Sequence, residues 1–137
     1  VAGLLVEFYD EYLGITDGND SVITQEMEHR VPACIPEGYE LVKDNSTRYL
    51  VNRIYRNKSG KLITYFQHYN NHATQYFDSE GAMLSDIFVK EYKGKFLEYL
   101  DEDKKENVIM WTDGYYTYYI TAELPYEELK AMAESVS

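Results

Sequence analysis

Asp113-Gly114 lies between two runs of apolar, β-branched and aromatic residues, 107–112 and 115–121. A two-residue hairpin turn needs positive φ at both central residues, which Asp and Gly tolerate best, so this pair is a strong local signal for an antiparallel hairpin. With a two-residue turn, Trp111 is expected to face Tyr116, Ile109 to face Tyr118 and Asn107 to face Ile120, all on one side of the ribbon. That side is the expected core face. Val108, Met110, Tyr115, Thr117, Tyr119 and Thr121 fall on the other. After Leu124-Pro125, residues Leu129, Met132, Ala133 and Val136 recur at helical spacing. Pro125 suits a first helical turn, and Glu127 and Glu128 complement the helix dipole there. The expected helix covers the Trp111 side.

Further hairpins precede this unit. Residues 48–56 and 61–69 are joined by Asn57-Lys58-Ser59-Gly60, a turn with glycine in the left-handed position. Leu50, Ile54, Ile63 and Tyr65 are expected to alternate against Val51, Tyr55, Leu62 and Phe66. Neither set is polar, so these strands are expected near the middle of a sheet covered on both sides. Residues 82–92 and 95–101 read as another hairpin turning at Lys93-Gly94. A short strand, 39–43, follows a turn containing Pro36 and Gly38. Leu5, Phe8, Tyr9, Tyr12 and Leu13 form one stripe, which predicts a helix over 1–13 stopped by Gly14. The expected fold class is α+β: an antiparallel sheet built from consecutive hairpins, covered by a C-terminal helix, with an additional N-terminal helix. Residues 1–30 would form that helix and a polar connector, and 31–137 a single domain.

A net charge of −11 makes nucleic acid an unfavourable partner, and an anionic membrane surface equally so. The single cysteine, Cys34, excludes an internal disulfide and a multi-cysteine zinc site; between Ala33 and Ile35 it reads as a buried, inert thiol. His68 and His72 have the spacing of a helical metal pair, but Asn70-Asn71 argues against helix, so no metal is expected. Thr16-Asp17-Gly18-Asn19-Asp20-Ser21 resembles half a calcium loop without the later bidentate Glu and reads as a solvated turn. Asp101, Glu102 and Asp103 form part of a charged loop with nothing to organise them around a cation. No stretch reaches the roughly 20 apolar residues of a membrane span. The chain starts at Val1 rather than Met, which leads us to expect a signal or anchor upstream. No catalytic residue and no cofactor is expected.

Four stretches together resemble one family: Ile35-Pro-Glu-Gly-Tyr-Glu-Leu-Val42, Tyr55-Arg-Asn-Lys-Ser-Gly-Lys-Leu-Ile63, Ile109-Met-Trp-Thr-Asp-Gly-Tyr-Tyr-Thr-Tyr-Tyr-Ile120, and Leu124-Pro-Tyr-Glu-Glu-Leu-Lys-Ala-Met-Ala-Glu-Ser-Val136. Their order and spacing look like domain of unknown function 4367, over about residues 31–137. Pro125 departs from the Ser or Thr cap expected at that helix start. The resemblance implies the extracytoplasmic end of a membrane-anchored protein of a Gram-positive bacterium, in some cases similar to anti-sigma factors. It implies no catalytic residues.

The leading expectation is therefore a non-catalytic extracytoplasmic interaction or sensing domain. Its partner would be an unknown protein or a cell-wall ligand, and its membrane contact would come only through a segment absent from this chain. A second reading is a glycan- or peptide-binding module using Tyr115, Thr117, Tyr119 and Met110 on the face away from the C-terminal helix. That face would either be covered by the 1–13 helix or left open as a contact patch. A third is a small hydrolase, which needs a cleft that raises the pKa of one carboxylate.

Overall fold

In the computed structural model, residues 26–70, 81–100 and 106–137 are described. The stretches 1–25, 71–80 and 101–105, with the expected N-terminal helix, the calcium-like turn, His72 and the acidic run at 101–103, lie outside the described residues. Seven strands make one antiparallel sheet: β1 (Glu40–Asp44), β2 (Val51–Arg56), β3 (Leu62–Tyr69), β4 (Ala82–Val89), β5 (Tyr92–Tyr99), β6 (Asn107–Thr112) and β7 (Tyr116–Ala122). Their spatial order is β1-β2-β3-β7-β6-β5-β4. Two meanders, β1-β2-β3 and β4-β5-β6-β7, thus meet where β3 pairs with β7, at the centre of the sheet.

Among the described residues one helix, α1 (Tyr126–Glu134), is formed, and it lies on the Trp111 face. Leu129, Met132 and Ala133 are buried against Ile109, Trp111, Tyr118, Ile120 and Phe96. Pro125 is the N-cap and makes no side-chain cap bond. A missing cap costs about 1 kcal/mol, whereas burying Leu129 and Met132 stabilises by about 1.5–3 kcal/mol each, so packing decides that the helix forms. The second face is buried as well: Leu97, Val108, Met110 and Tyr119 form a cluster with Phe66, Ala82 and Tyr99 around it.

The β6–β7 hairpin keeps its expected faces but not its expected register. Trp111 pairs with Tyr118, Ile109 with Ile120 and Asn107 with Ala122. The shift is two residues, and side chains alternate with period two, so the paired strand residues stay on their sides, whereas Tyr115, in the turn, packs with Tyr69 and Tyr116 instead of on the expected far face. The cause is the Asp113 carboxylate. Its Oδ1 accepts from the N–H groups of Tyr115 and Tyr116, at 2.9 and 2.8 Å. That side chain takes the place of a backbone acceptor and lengthens the turn, with Gly114 at φ 89°.

Three other expectations are corrected. The β4–β5 turn is Lys90-Glu91, not Lys93-Gly94, since Val89 pairs with Tyr92. Gly94 sits inside β5, where a Cβ would fall 2.2 Å from the Met110 carbonyl oxygen. Its glycine answers a close backbone approach, not a turn. On the helix face it is Val51 and Tyr55 that align with Ile63 and Tyr65, because Tyr55 pairs with Ile63 and Ile54 with Thr64. Cys34 is exposed rather than buried: the backbone N–H of Cys34 donates to Ser135 Oγ, which holds that segment at the surface.

Candidate functional site

The segment 26–33 has no regular partner strand, yet it crosses the helix face of the sheet as a strap. Side chains supply its backbone bonds. Gln67 is completely buried on β3; its Nε2 donates to the Glu28 carbonyl and its Oε1 accepts from the Arg30 N–H, at 2.9 and 2.8 Å. The Tyr65 hydroxyl donates to the Arg30 carbonyl at 2.7 Å, and the Tyr116 hydroxyl accepts from the Glu28 N–H at 3.0 Å. A buried backbone group left unpaired would cost about 1–3 kcal/mol, so these bonds are what allow an irregular segment to lie there. Beyond the strap, Val31 and Ser137 exchange backbone bonds in both directions.

Arg30 extends from the strap to the hairpin. Its Nη1 donates to Asp113 Oδ2 at 3.2 Å and to the Tyr118 hydroxyl oxygen at 3.4 Å, while the Tyr118 hydroxyl donates to the same Oδ2 at 2.7 Å. Asp113 thereby accepts from the Tyr115 and Tyr116 amides on one oxygen and from Tyr118 and Arg30 on the other. Burial, and then the hydrogen bond to Asp113, push the Tyr118 phenol up from its ordinary range, so it stays a neutral donor. Burial raises Tyr65 in the same way.

This triad lines a groove of about 310 Å³. The strap contributes Glu28 and Arg30, the β4–β5 turn contributes Lys90 and Glu91, and Trp111 with Val136 forms apolar wall. Lys90 adopts φ 55°, a left-handed conformation for a non-glycine residue, and its N–H donates to Glu134 Oε2 of α1 at 3.3 Å. Both cations and carboxylates line the groove, Arg30 and Lys90 with Glu28, Glu91 and Asp113.

The residues singled out from sequence scatter. Tyr115 is 56% exposed at the hairpin turn, edge-on to Tyr69 and Tyr116 on the helix side. Met110, Thr117 and Tyr119 are buried. The Thr117 hydroxyl donates to Asn70 Oδ1, and Tyr119 stacks on Phe66. No coplanar tyrosine platform is formed by these four. His68 stacks with both Phe66 and Tyr119, and burial pushes its pKa down to about 4. No group of three or more metal-ligating side chains occurs among the described residues. Sequence reasoning missed Arg30, Gln67 and Tyr118 as a set. The available signal was Gln67, a polar residue at the core parity of β3 between Tyr65 and Tyr69.

Sheet, strap and groove define a small α+β domain built on one antiparallel sheet, with its polar core bonds devoted to holding an irregular segment in place. The chain belongs to the family described as domain of unknown function DUF4367, whose model matches residues 30–136. The match opens at Arg30, the strap residue that reaches Asp113. Neither the curated proteins nor the solved structures yield a match.

Proposed function

We propose that this is a non-catalytic interaction or sensing domain, carried outside the cytoplasm by a membrane-anchored bacterial protein of anti-sigma-factor-like arrangement. The observation that carries the reading is the mutual bonding of Asp113, Tyr118 and Arg30 in the groove. Asp113, Tyr118 and Arg30 bond one another and the turn amides, so the Asp113 carboxylate, its side chain 10% exposed, serves to fix structure. A general base or nucleophile needs an acceptor or donor left for substrate. The strap adds a route for signalling, because a change at residues 26–30 acts directly on Gln67, Tyr65 and Asp113. The glycan-platform reading is not retained, since Met110, Thr117 and Tyr119 present no surface.

Cys34 offers the test, as an exposed thiol. In intact cells of the native host, a membrane-impermeant maleimide should label the parent protein, and Cys34→Ser should remove that labelling. A chemical crosslinker on the same cells should give a discrete adduct. Labelling only after lysis would overturn the location, and the absence of any adduct would overturn the interaction role.

A further inference from the structure

The strap is held as a bound peptide is held. Gln67 offers both ends of its amide to the backbone of residues 28 and 30, and the hydroxyls of Tyr116 and Tyr65 serve the same two residues. All four bonds go to main-chain atoms, so they suit any sequence laid along this path. Two side chains of the strap are read as well. Met27 is buried in the core of the helix face, 6% exposed. Arg30 pairs with Asp113 and lies over the Tyr116 ring, its Cζ 5.6 Å from the centroid. Glu28 and His29, between them, are exposed. The pattern recognised is an apolar residue followed three positions later by arginine.

We propose that this face of the sheet is a peptide-reading site, that residues 26–33 are its resident occupant, and that a partner protein's segment with the same apolar-x-x-arginine pattern takes their place. The charge that selects the arginine is set free by the exchange itself. The Tyr115 and Tyr116 amides and the Tyr118 hydroxyl belong to the hairpin and stay on Asp113, whereas Arg30, the cation paired with it among the described residues, leaves with the strap. An incoming guanidinium then meets a carboxylate whose cation has just departed. Departure also strips the partners from Gln67, which is completely buried, and from the Tyr65 hydroxyl. Polar groups stranded in an apolar face are costly, and a second backbone laid along the same path satisfies them together. No pairing between the seven strands is broken, because the strap is not one of them. A second copy is a poorer occupant. Its strap already fills its own site, so mutual exchange restores the same bonds while bringing together two chains of net charge −11.

This inference rests on the interaction reading above, but its test involves neither Cys34 nor the cell surface. The probe is a synthetic peptide of residues 26–33, Glu-Met-Glu-His-Arg-Val-Pro-Ala, titrated into the isotope-labelled full chain. In the wild type the tethered strap competes at an effective concentration of about millimolar, so the peptide should bind weakly. Arg30→Glu sets a like charge against Asp113 and loosens the resident strap while leaving Gln67, Tyr65 and Tyr116 in place. The peptide should bind this chain about tenfold or more tightly than the wild type. If Arg30→Glu does not fold, Met27→Ala, which loosens the other end of the strap, replaces it with the same expectation. Binding should shift the side-chain amide signals of Gln67 and change the fluorescence of Trp111. Replacing the peptide's arginine by alanine should weaken binding about fivefold or more. No shift at Gln67, equal affinity of wild type and variant, or equal affinity of the arginine and alanine peptides overturns the proposal and leaves the interaction reading standing. A wild-type dimer that grows with concentration and is lost in Arg30→Glu assigns the site to a second copy and overturns the partner segment.

Discussion

Asp113→Ala removes four hydrogen bonds with one substitution, and the structure ranks them. The Tyr115 and Tyr116 amides lie at the turn, where water can replace the carboxylate, so each loses about 0.5–1.5 kcal/mol. The Tyr118 ring is buried, and stranding its hydroxyl costs about 1–3 kcal/mol. The Arg30 side chain is 35% exposed, so its ion pair contributes at most about 1 kcal/mol. The Tyr118 hydroxyl retains Arg30 Nη1 within 3.4 Å, which relieves part of the loss. We expect a net destabilisation of about 3–4 kcal/mol. The assay is urea unfolding followed by fluorescence of Trp111, the single tryptophan, which stacks on Tyr118 at 5.1 Å. Double-mutant cycles should give a coupling of about 1–2 kcal/mol between Asp113 and Tyr118, and under about 1 kcal/mol between Asp113 and Arg30. A loss below about 1 kcal/mol for Asp113→Ala, or a larger coupling to Arg30 than to Tyr118, refutes this ranking.

Trp111→Ala should cost about 3–5 kcal/mol in the same assay, read by circular dichroism because the reporter is gone; a near-neutral change would contradict its place beneath α1. Gly94→Ala should cost at least about 1–3 kcal/mol although it adds one methyl group, since the new Cβ meets a backbone carbonyl; a stabilised variant would show that β5 and β6 can separate freely. His68 makes stability depend on pH. Its folded-state pKa of about 4 lies below the ordinary 6.5, so the unfolded chain binds the proton first as pH falls. The stability present above pH 6.5 should decline, by up to about 3 kcal/mol, down to about pH 4 and then level off in this contribution. His68→Phe should flatten that part of the profile relative to the wild type, and identical profiles would refute the assignment.

The β6–β7 hairpin and the closing helix were legible because their signals are local: alternation, Asp-Gly, and a stripe at helical spacing. Even the mistaken register preserved the faces, since it was out by an even number of residues. Gly94 was misread because nothing in its neighbourhood of sequence shows that the Met110 carbonyl passes close by. The strap was invisible for the same reason. Arg30 meets Gln67 and Asp113 across 37 and 83 residues of chain, and no periodicity encodes such a meeting. The abundance of tyrosine was visible, but its reason was not. Tyr65, Tyr116 and Tyr118 bury their rings in the core and keep a hydroxyl for the strap or its arginine, two tasks that Phe or Leu cannot combine.

The attachment of the strap has a mechanical consequence. Its bonds are strung along residues 27–33, from Met27 to Arg48, through Glu28 and Arg30 to Tyr116 and Gln67, and on to Ser135 and Ser137. Tension drawn through the chain from the N-terminal side, away from the sheet, loads these bonds in succession rather than together. Each contributes only about 1 kcal/mol, so the strap peels at low force while the sheet, whose ladders must be broken many bonds at a time, holds. The first effect of such a pull is to free Gln67, Tyr65 and Tyr116 and to draw Arg30 off Asp113, exposing a polar strip on an otherwise intact domain. In that sense the strap behaves as a release tab, set to open under a strain far below that which unfolds the sheet.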